Sequence, residues 1–158
     1  MTSKIKVRTA TPSDLLDLVD LYDTCFAPWI VSRYAKYEVG AFKSELYNLY
    51  AQMTTNNLTQ IYVGECDGKC VGFIVCDVES FRASSQVYAT VAWFAINEEY
   101  RSSILFLKFV RVAEEWAKKS GLAIMNWGFN ASKYSERLRS LFEKKGYEPF
   151  EYQYLKHL

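Results

Sequence analysis

From Trp93 to Gly121 the chain reads WFAINEEYRSSILFLKFVRVAEEWAKKSG: an apolar run, a short polar segment, then an amphipathic run. The polar segment, Tyr100-Arg101-Ser102-Ser103-Ile104-Leu105-Phe106, stands where a phosphate-cradling loop belongs between a strand and a helix. The first N–H groups of a helix lack intrahelical acceptors and lie at the positive end of its dipole, so such a junction binds anions. Arg101 adds charge, and Ser102 and Ser103 add hydroxyls. The glycines usual in such loops are absent. If Ile104 and Phe106 both turn inward, the backbone is still presented to a ligand. If Phe106 turns outward, its ring plugs the anion site.

Other chemistries are poorly supplied. Cys25, Cys66, Cys70 and Cys76 form no Cys-x-x-Cys pair, and His157 is the single histidine, so no metal site is expected. Free thiols packed as small hydrophobes fit these cysteines best. The 158 residues carry 19 basic and 18 acidic side chains, which argues against a dedicated nucleic-acid binder. No apolar run approaches the ~20 residues needed to span a bilayer. MTSKIKVRTATPSD lacks the apolar centre of a secretory signal. The expectation is a soluble cytoplasmic protein with no membrane or nucleic-acid partner.

These side chains need elements to position them, and half of the chain is apolar, enough for a sizeable core. No linker or repeat divides it, so residues 1–158 read as a single domain. Lys4 to Thr9 alternates as a half-buried strand does. Thr11-Pro12-Ser13-Asp14 starts a helix carrying Leu15, Leu18, Val19, Leu21, Tyr22 and Phe26 at helical spacing, stopped by Pro28. Phe26 to Gly40 is irregular and aromatic. Phe42, Leu46, Leu49, Tyr50 and Met53 mark a second helix, and Thr54 to Asn57 a loop. Gln60–Cys66 and Lys69–Val78 form a hairpin around Asp67-Gly68, which suits a type I′ turn. A strand over Ser84–Ile96 follows, and then the amphipathic helix, ended by Gly121. A strand over Leu122–Phe129, a helix over Ser132–Lys145 and a strand over Pro149–Leu155 complete the order. Clustered hairpin strands with helices before and after predict a mixed α/β (α+β) sheet.

That order resembles the GNAT superfamily of acyl-CoA-dependent N-acyltransferases. Val7 to Asp14 is similar to the family's opening IRxATxxD, and VGECDGKCVGFIVCDVE to its second and third strands. FAINEEYRSS resembles the end of the fourth strand and its loop. LFEKKGYEPFEYQYLKHL is similar to the closing LYxxxGFxxxxxxYxxxL. The resemblance implies a mostly antiparallel sheet splayed between strands 4 and 5, flanked by about four helices, with acetyl-CoA as co-substrate and no metal. Pantetheine would lie in the splay, its amides pairing with Phe94, Ala95 and Ile96. The diphosphate would meet Arg101, Ser102, Ser103, Ile104, Leu105 and Phe106, with Ile104 and Phe106 at the family's glycine and small-residue positions.

The implied reaction is acetyl transfer to a primary amine, on a small molecule or a protein. It needs two aligned reactants, a polarised thioester carbonyl, a proton acceptor and an acid for the departing thiolate. The family's acidic tyrosine matches Phe142, which has no hydroxyl; Tyr134 and Ser135 are the alternative donors. Glu79 is the first base candidate and Glu65 the second. Trp29, Tyr34 and Tyr37 would wall the acceptor side, or form a lid or a homodimer contact. The rival reading is a catalytically inactive GNAT-fold protein serving as a protein-binding module.

Overall fold

The computed structural model describes residues 5–26, 38–101, 104–129 and 134–151. The chain divides into two compact units, Met1–Trp127 and Gly128–Leu158. In the first, strand β1 (Lys6–Thr9) leads through a short 3-10 turn (Pro12–Asp14) into helix α1 (Leu15–Phe26). Helix α2 (Val39–Thr55), strands β2 (Gln60–Cys66), β3 (Lys69–Ser80) and β4 (Val87–Ile96), and a second 3-10 turn (Glu98–Tyr100) follow. Helix α3 (Leu105–Lys119) and strand β5 (Met125–Trp127) close the unit. Among the described residues the sheet has five strands in the order β1-β2-β3-β4-β5. Neighbours are antiparallel except β4 and β5, which run parallel.

Local chemistry explains the entry and the hairpin. The Asp14 carboxylate accepts from the Thr11 backbone N–H and hydroxyl, each at 2.7 Å, which caps the first helical turn. It also receives two Arg8 N–H groups at 2.7 and 2.8 Å, while Arg8 Nε reaches Glu65 at 2.9 Å. One guanidinium thus ties β1, the turn and β2 together. The Arg8 hydrogen bonds hold the Asp14 carboxyl well below the usual carboxylate range. In the hairpin turn Asp67 and Gly68 have φ of 50° and 77°, the left-handed pair a type I′ turn requires.

Each face of the sheet has its own cover. On one, α1 and α2 bury Leu18, Leu46, Ile61, Val63, Phe73 and Val75 in a single cluster. The other face takes α3, whose Leu105, Phe109, Val110, Ala113 and Trp116 are buried. Helix α3 lies close because Gly64 and Gly72, paired across β2 and β3, present no side chain beneath it. A Cβ on Gly64 would stand 2.5 Å from a Leu105 methyl.

Several boundaries differ from the sequence expectation. The Thr54–Asn57 loop begins two residues late: Thr54 and Thr55 end α2 and return their hydroxyls to the Ala51 carbonyl, at 2.8 and 3.0 Å. Strand β4 starts at Val87 rather than Ser84, since Ser84 N–H bonds Phe81 O and Phe81 N–H bonds Gln86 O, closing a turn. Strand β5 is three residues long, not eight. Residues 149–151 of the expected last strand are not in a strand, and the rest of it lies outside the described residues.

In the second unit, helix α4 (Ser135–Lys144) ends at Gly146, with φ of 85°. Tyr147 N–H bonds back to Phe142 O at 3.0 Å. The Phe142 ring is buried, stacked on Phe129 at 5.8 Å and edge-on to Tyr147 at 4.9 Å.

Candidate functional site

The shortness of β5 makes the site. Its partners are Ala89, Thr90 and Val91, which face Met125, Asn126 and Trp127. Among the described residues, strand β4 runs on beyond Val91 through Ile96 against β3 alone. The cause is in the register: Val75 pairs with Trp93 but Cys76 pairs with Val91, so Ala92 is an extra residue. Such a bulge bends its strand and sharpens the local twist, turning the end of β4 away from β5. On that edge, residues 92–96 have no strand partner among the described residues. β4 and β5 form a fork with its root at Val91.

The end of β4 delivers the chain to α3. Asn97 caps the intervening turn, its Oδ1 accepting from Glu99 N–H at 3.2 Å. Arg101 does not simply extend into solvent: its Nε donates to Ile96 O at 3.0 Å, closing the strand end. The α3 ladder opens with Lys108 N–H bonded to Ile104 O at 3.0 Å, which puts the positive end of the helix dipole at Ile104, beside the fork. Ser102 and Ser103 lie outside the described residues.

The two bulky loop residues turn opposite ways. Ile104 is 58% exposed, whereas Phe106 is 7% exposed and faces the sheet. Its ring packs 6.2 Å from Phe94 on β4 and 5.7 Å from Trp127 on β5. Phe94 and Trp127 are themselves 6.3 Å apart, so three rings seal the fork on its α3 side. Phe106 therefore fills space beneath the helix and does not project outward. A cleft of about 340 Å³, lined by Thr24, Cys25, Asn97, Glu98, Glu99 and Arg101, adjoins the turn. Burial pushes the Cys25 thiol up, and the Arg101 guanidinium partly offsets this.

On the opposite face, the base candidate Glu79 pairs with Tyr88 across the strands and accepts the Tyr88 hydroxyl at 2.7 Å. Tyr88 lies four residues before the bulge, about 13 Å along β4, so the structure does not bring Glu79 into contact with the open strand. Glu65 is engaged by Arg8. Sequence reasoning passed over a nearer polar row: Asp77 on β3, Thr90 on β4 and Asn126 on β5, each opposite the next. A usable signal was there, because Asp77 is the first charge to interrupt the apolar run VGFIVC.

Tyr134 and Ser135 start α4 in the second unit, Tyr134 as its N-cap residue and both half-buried. The candidate acceptor walls Trp29, Tyr34 and Tyr37 lie outside the described residues. Among the described residues no group of three metal-ligating side chains occurs, and no helix is long and apolar enough to cross a membrane.

Comparison with known proteins is consistent with this geometry. The aminoglycoside N-acetyltransferase AAC(6')-Iy, solved in complex with CoA, superposes with a TM-score of 0.73 at 11% identity, over 100% of this chain and 97% of that one. AAC(6')-IG from Acinetobacter haemolyticus gives 0.69 at 13% identity, over 97% of each chain. A transcriptional regulator from Bacillus halodurans gives 0.71 at 15% identity, over 98% of this chain and 100% of that one. At such identities the likeness is one of fold. No curated protein matches the sequence. The family model for the Acetyltransferase (GNAT) family matches residues 15–147, and with this sheet and helix arrangement the chain belongs to the GNAT acetyltransferase family.

Proposed function

We propose that this protein is an N-acetyltransferase that moves an acetyl group from acetyl-CoA directly to a primary amine. The observation that carries the reading is the fork: an open edge of β4 at residues 92–96, ending beside the positive end of α3. An open strand edge offers N–H and C=O groups at regular spacing to an extended amide chain. Phe94, Ala95 and Ile96 would take the pantetheine amides, and the Arg101–Phe106 turn the diphosphate. Phe106, the residue that most threatened this fit, is turned inward. Likeness to an acetyltransferase solved with CoA supports the same reading.

The chain's own groups would then align amine and thioester, which supplies several kcal/mol of the barrier reduction. A backbone N–H near the fork root polarises the carbonyl. Glu79 acts as proton acceptor through water, and Tyr134 or Ser135 supplies the proton for sulfur. Trp29, Tyr34 and Tyr37, which lie outside the described residues, are the acceptor contacts proposed on sequence grounds. The second reading, an inactive protein-binding module, draws on the ring-sealed fork and on Phe142, buried without a hydroxyl.

A titration with acetyl-CoA separates the two. At ligand concentrations 100 times Kd, stabilisation is about 2.7 kcal/mol, a Tm rise of roughly 5–11 °C for a chain of this size. No shift at millimolar acetyl-CoA, and no CoA adduct in native mass spectrometry, rejects the enzyme and leaves the binding module.

A further inference from the structure

Asp77, Thr90 and Asn126 stand side by side across β3, β4 and β5, and directly opposed residues project from the same face. That face is the one covered by α1 and α2. Asp77 Oδ1 accepts the hydroxyl of Thr59 at 3.1 Å, and the same hydroxyl lies 3.2 Å from Gln52 Oε1 on α2. Asn126 Nδ2 donates to Thr90 Oγ1 at 3.4 Å, and Thr90 is 4% exposed. The row is one pairing short of the fork root. It lies two residues before the Ala92 bulge, about 7 Å along β4, against about 13 Å for the Glu79–Tyr88 row.

The Asp77 carboxylate is fixed on one side and open on the other. Val78 N–H, at 2.9 Å, joins Thr59 on Oδ1, while Oδ2 accepts no hydrogen bond among the described residues. The side chain is half-buried, so a partner can reach it at the cost of little water. A carboxylate held on one oxygen and offered on the other suits an ammonium, because charge-assisted bonds of this kind are the strong ones. Glu79, by contrast, already holds the Tyr88 hydroxyl.

We propose that Asp77 Oδ2 receives the ammonium of a cationic amine acceptor on the α2 side of the fork root. This deepens the acetyl-transfer reading and rests on it. The amine, docked as R–NH3+ on Asp77, gives one proton through water to Glu79 and on to solvent. Its lone pair then forms the new C–N bond to the acetyl carbon, the C–S bond breaks with its electron pair on sulfur, and the second nitrogen proton ends on that thiolate. The products are an acetamide, a free thiol and one released proton.

Asp77→Asn preserves the acceptor oxygen facing Thr59 and removes the charge. The full chain and its Asp77→Asn, Asp77→Glu and Glu79→Gln variants are assayed for acetyl-CoA binding by thermal shift. Thiol release is followed with spermidine, tyramine and kanamycin as amines. Expected are unchanged acetyl-CoA binding in all variants and a loss of about 10- to 100-fold in kcat/KM for Asp77→Asn, carried largely by KM. Asp77→Glu should rescue part of it, whereas Glu79→Gln, which removes the proton acceptor and not the docking charge, should lower kcat and leave KM near the wild-type value. Asp77→Asn within threefold of wild type, with acetyl-CoA still bound, overturns the inference alone. So does acetyl-CoA binding without any of these amines being acetylated or stabilising wild type more than Asp77→Asn. Failure of wild type to bind acetyl-CoA removes the acetyl-transfer reading itself, and this inference with it.

Discussion

Gly64→Ala tests how closely α3 must lie on the sheet. The added Cβ would meet Leu105 Cδ1 at 2.5 Å, Leu105 Cδ2 at 3.0 Å and Phe109 Cζ at 3.1 Å. Carbon atoms at rest are about 3.5–4.0 Å apart, so Leu105 must retreat by roughly 1 Å. Leu105 and Phe109 are both fully buried and have no slack to take that up. Overpacking of this kind costs about 1–3 kcal/mol, against about 0.5–1 kcal/mol regained by replacing a strand glycine. The net loss is then about 1–2 kcal/mol, or roughly 2–8 °C in Tm for a chain of this size. Gly40→Ala is the control: nothing lies within 4 Å of its Cβ and it sits in α2, so it should stabilise by a few tenths to about 1 kcal/mol. The decisive measurement is a double-mutant cycle by urea denaturation. In a Leu105→Ala background only the 3.1 Å approach to Phe109 Cζ remains, and most of the cost of Gly64→Ala should disappear. Equal costs in both backgrounds would refute the claim that this contact sets the seating of α3. Because α3 would carry the anion end of the proposed site, Gly64→Ala should also weaken acetyl-CoA binding if that proposal holds.

Asp14→Asn should cost about 1–3 kcal/mol near neutral pH, since it weakens bonds to a charged partner. The folded-state pKa is depressed, so the native carboxylate's contribution is complete above the unfolded value of about 4 and is lost as pH falls through the folded value. Wild type and variant should therefore converge in acid; a gap that stays constant from pH 7 to pH 2 counts against the Arg8–Asp14 account. Phe106→Ala removes the central ring of the fork seal and should destabilise by about 3–5 kcal/mol in chemical denaturation. A loss below 1 kcal/mol would mean that the ring is not packed between Phe94 and Trp127.

Elements whose signals are short-range were legible in the chain. The Asp67-Gly68 hairpin, the α1 stripe from Leu15 to Tyr22 and the buried face of α3 each follow from turn chemistry or from a 3.6-residue period. The ordered set of turns also carried the family. What was not legible depends on pairing between distant strands. A bulge at Ala92 leaves no mark of its own in VYATVAWFAI, yet it ends the β4–β5 ladder at Val91 and opens the fork. The placing of carboxylates depends on the same pairing: Asp77 and Glu79 are two residues apart on one face, and only the register shows which lies nearer the fork.

Sequence alone determined that a strand ending at Ile96, a polar turn and an amphipathic helix follow one another, because period and turn chemistry act over a few residues. It left Phe106 free to point either way. Tertiary structure decided that, since the inward rotamer is held by Phe94 and Trp127, which reach the same space from two different strands. Contacts of this kind exist only once the sheet has set its register, so no local pattern can encode them.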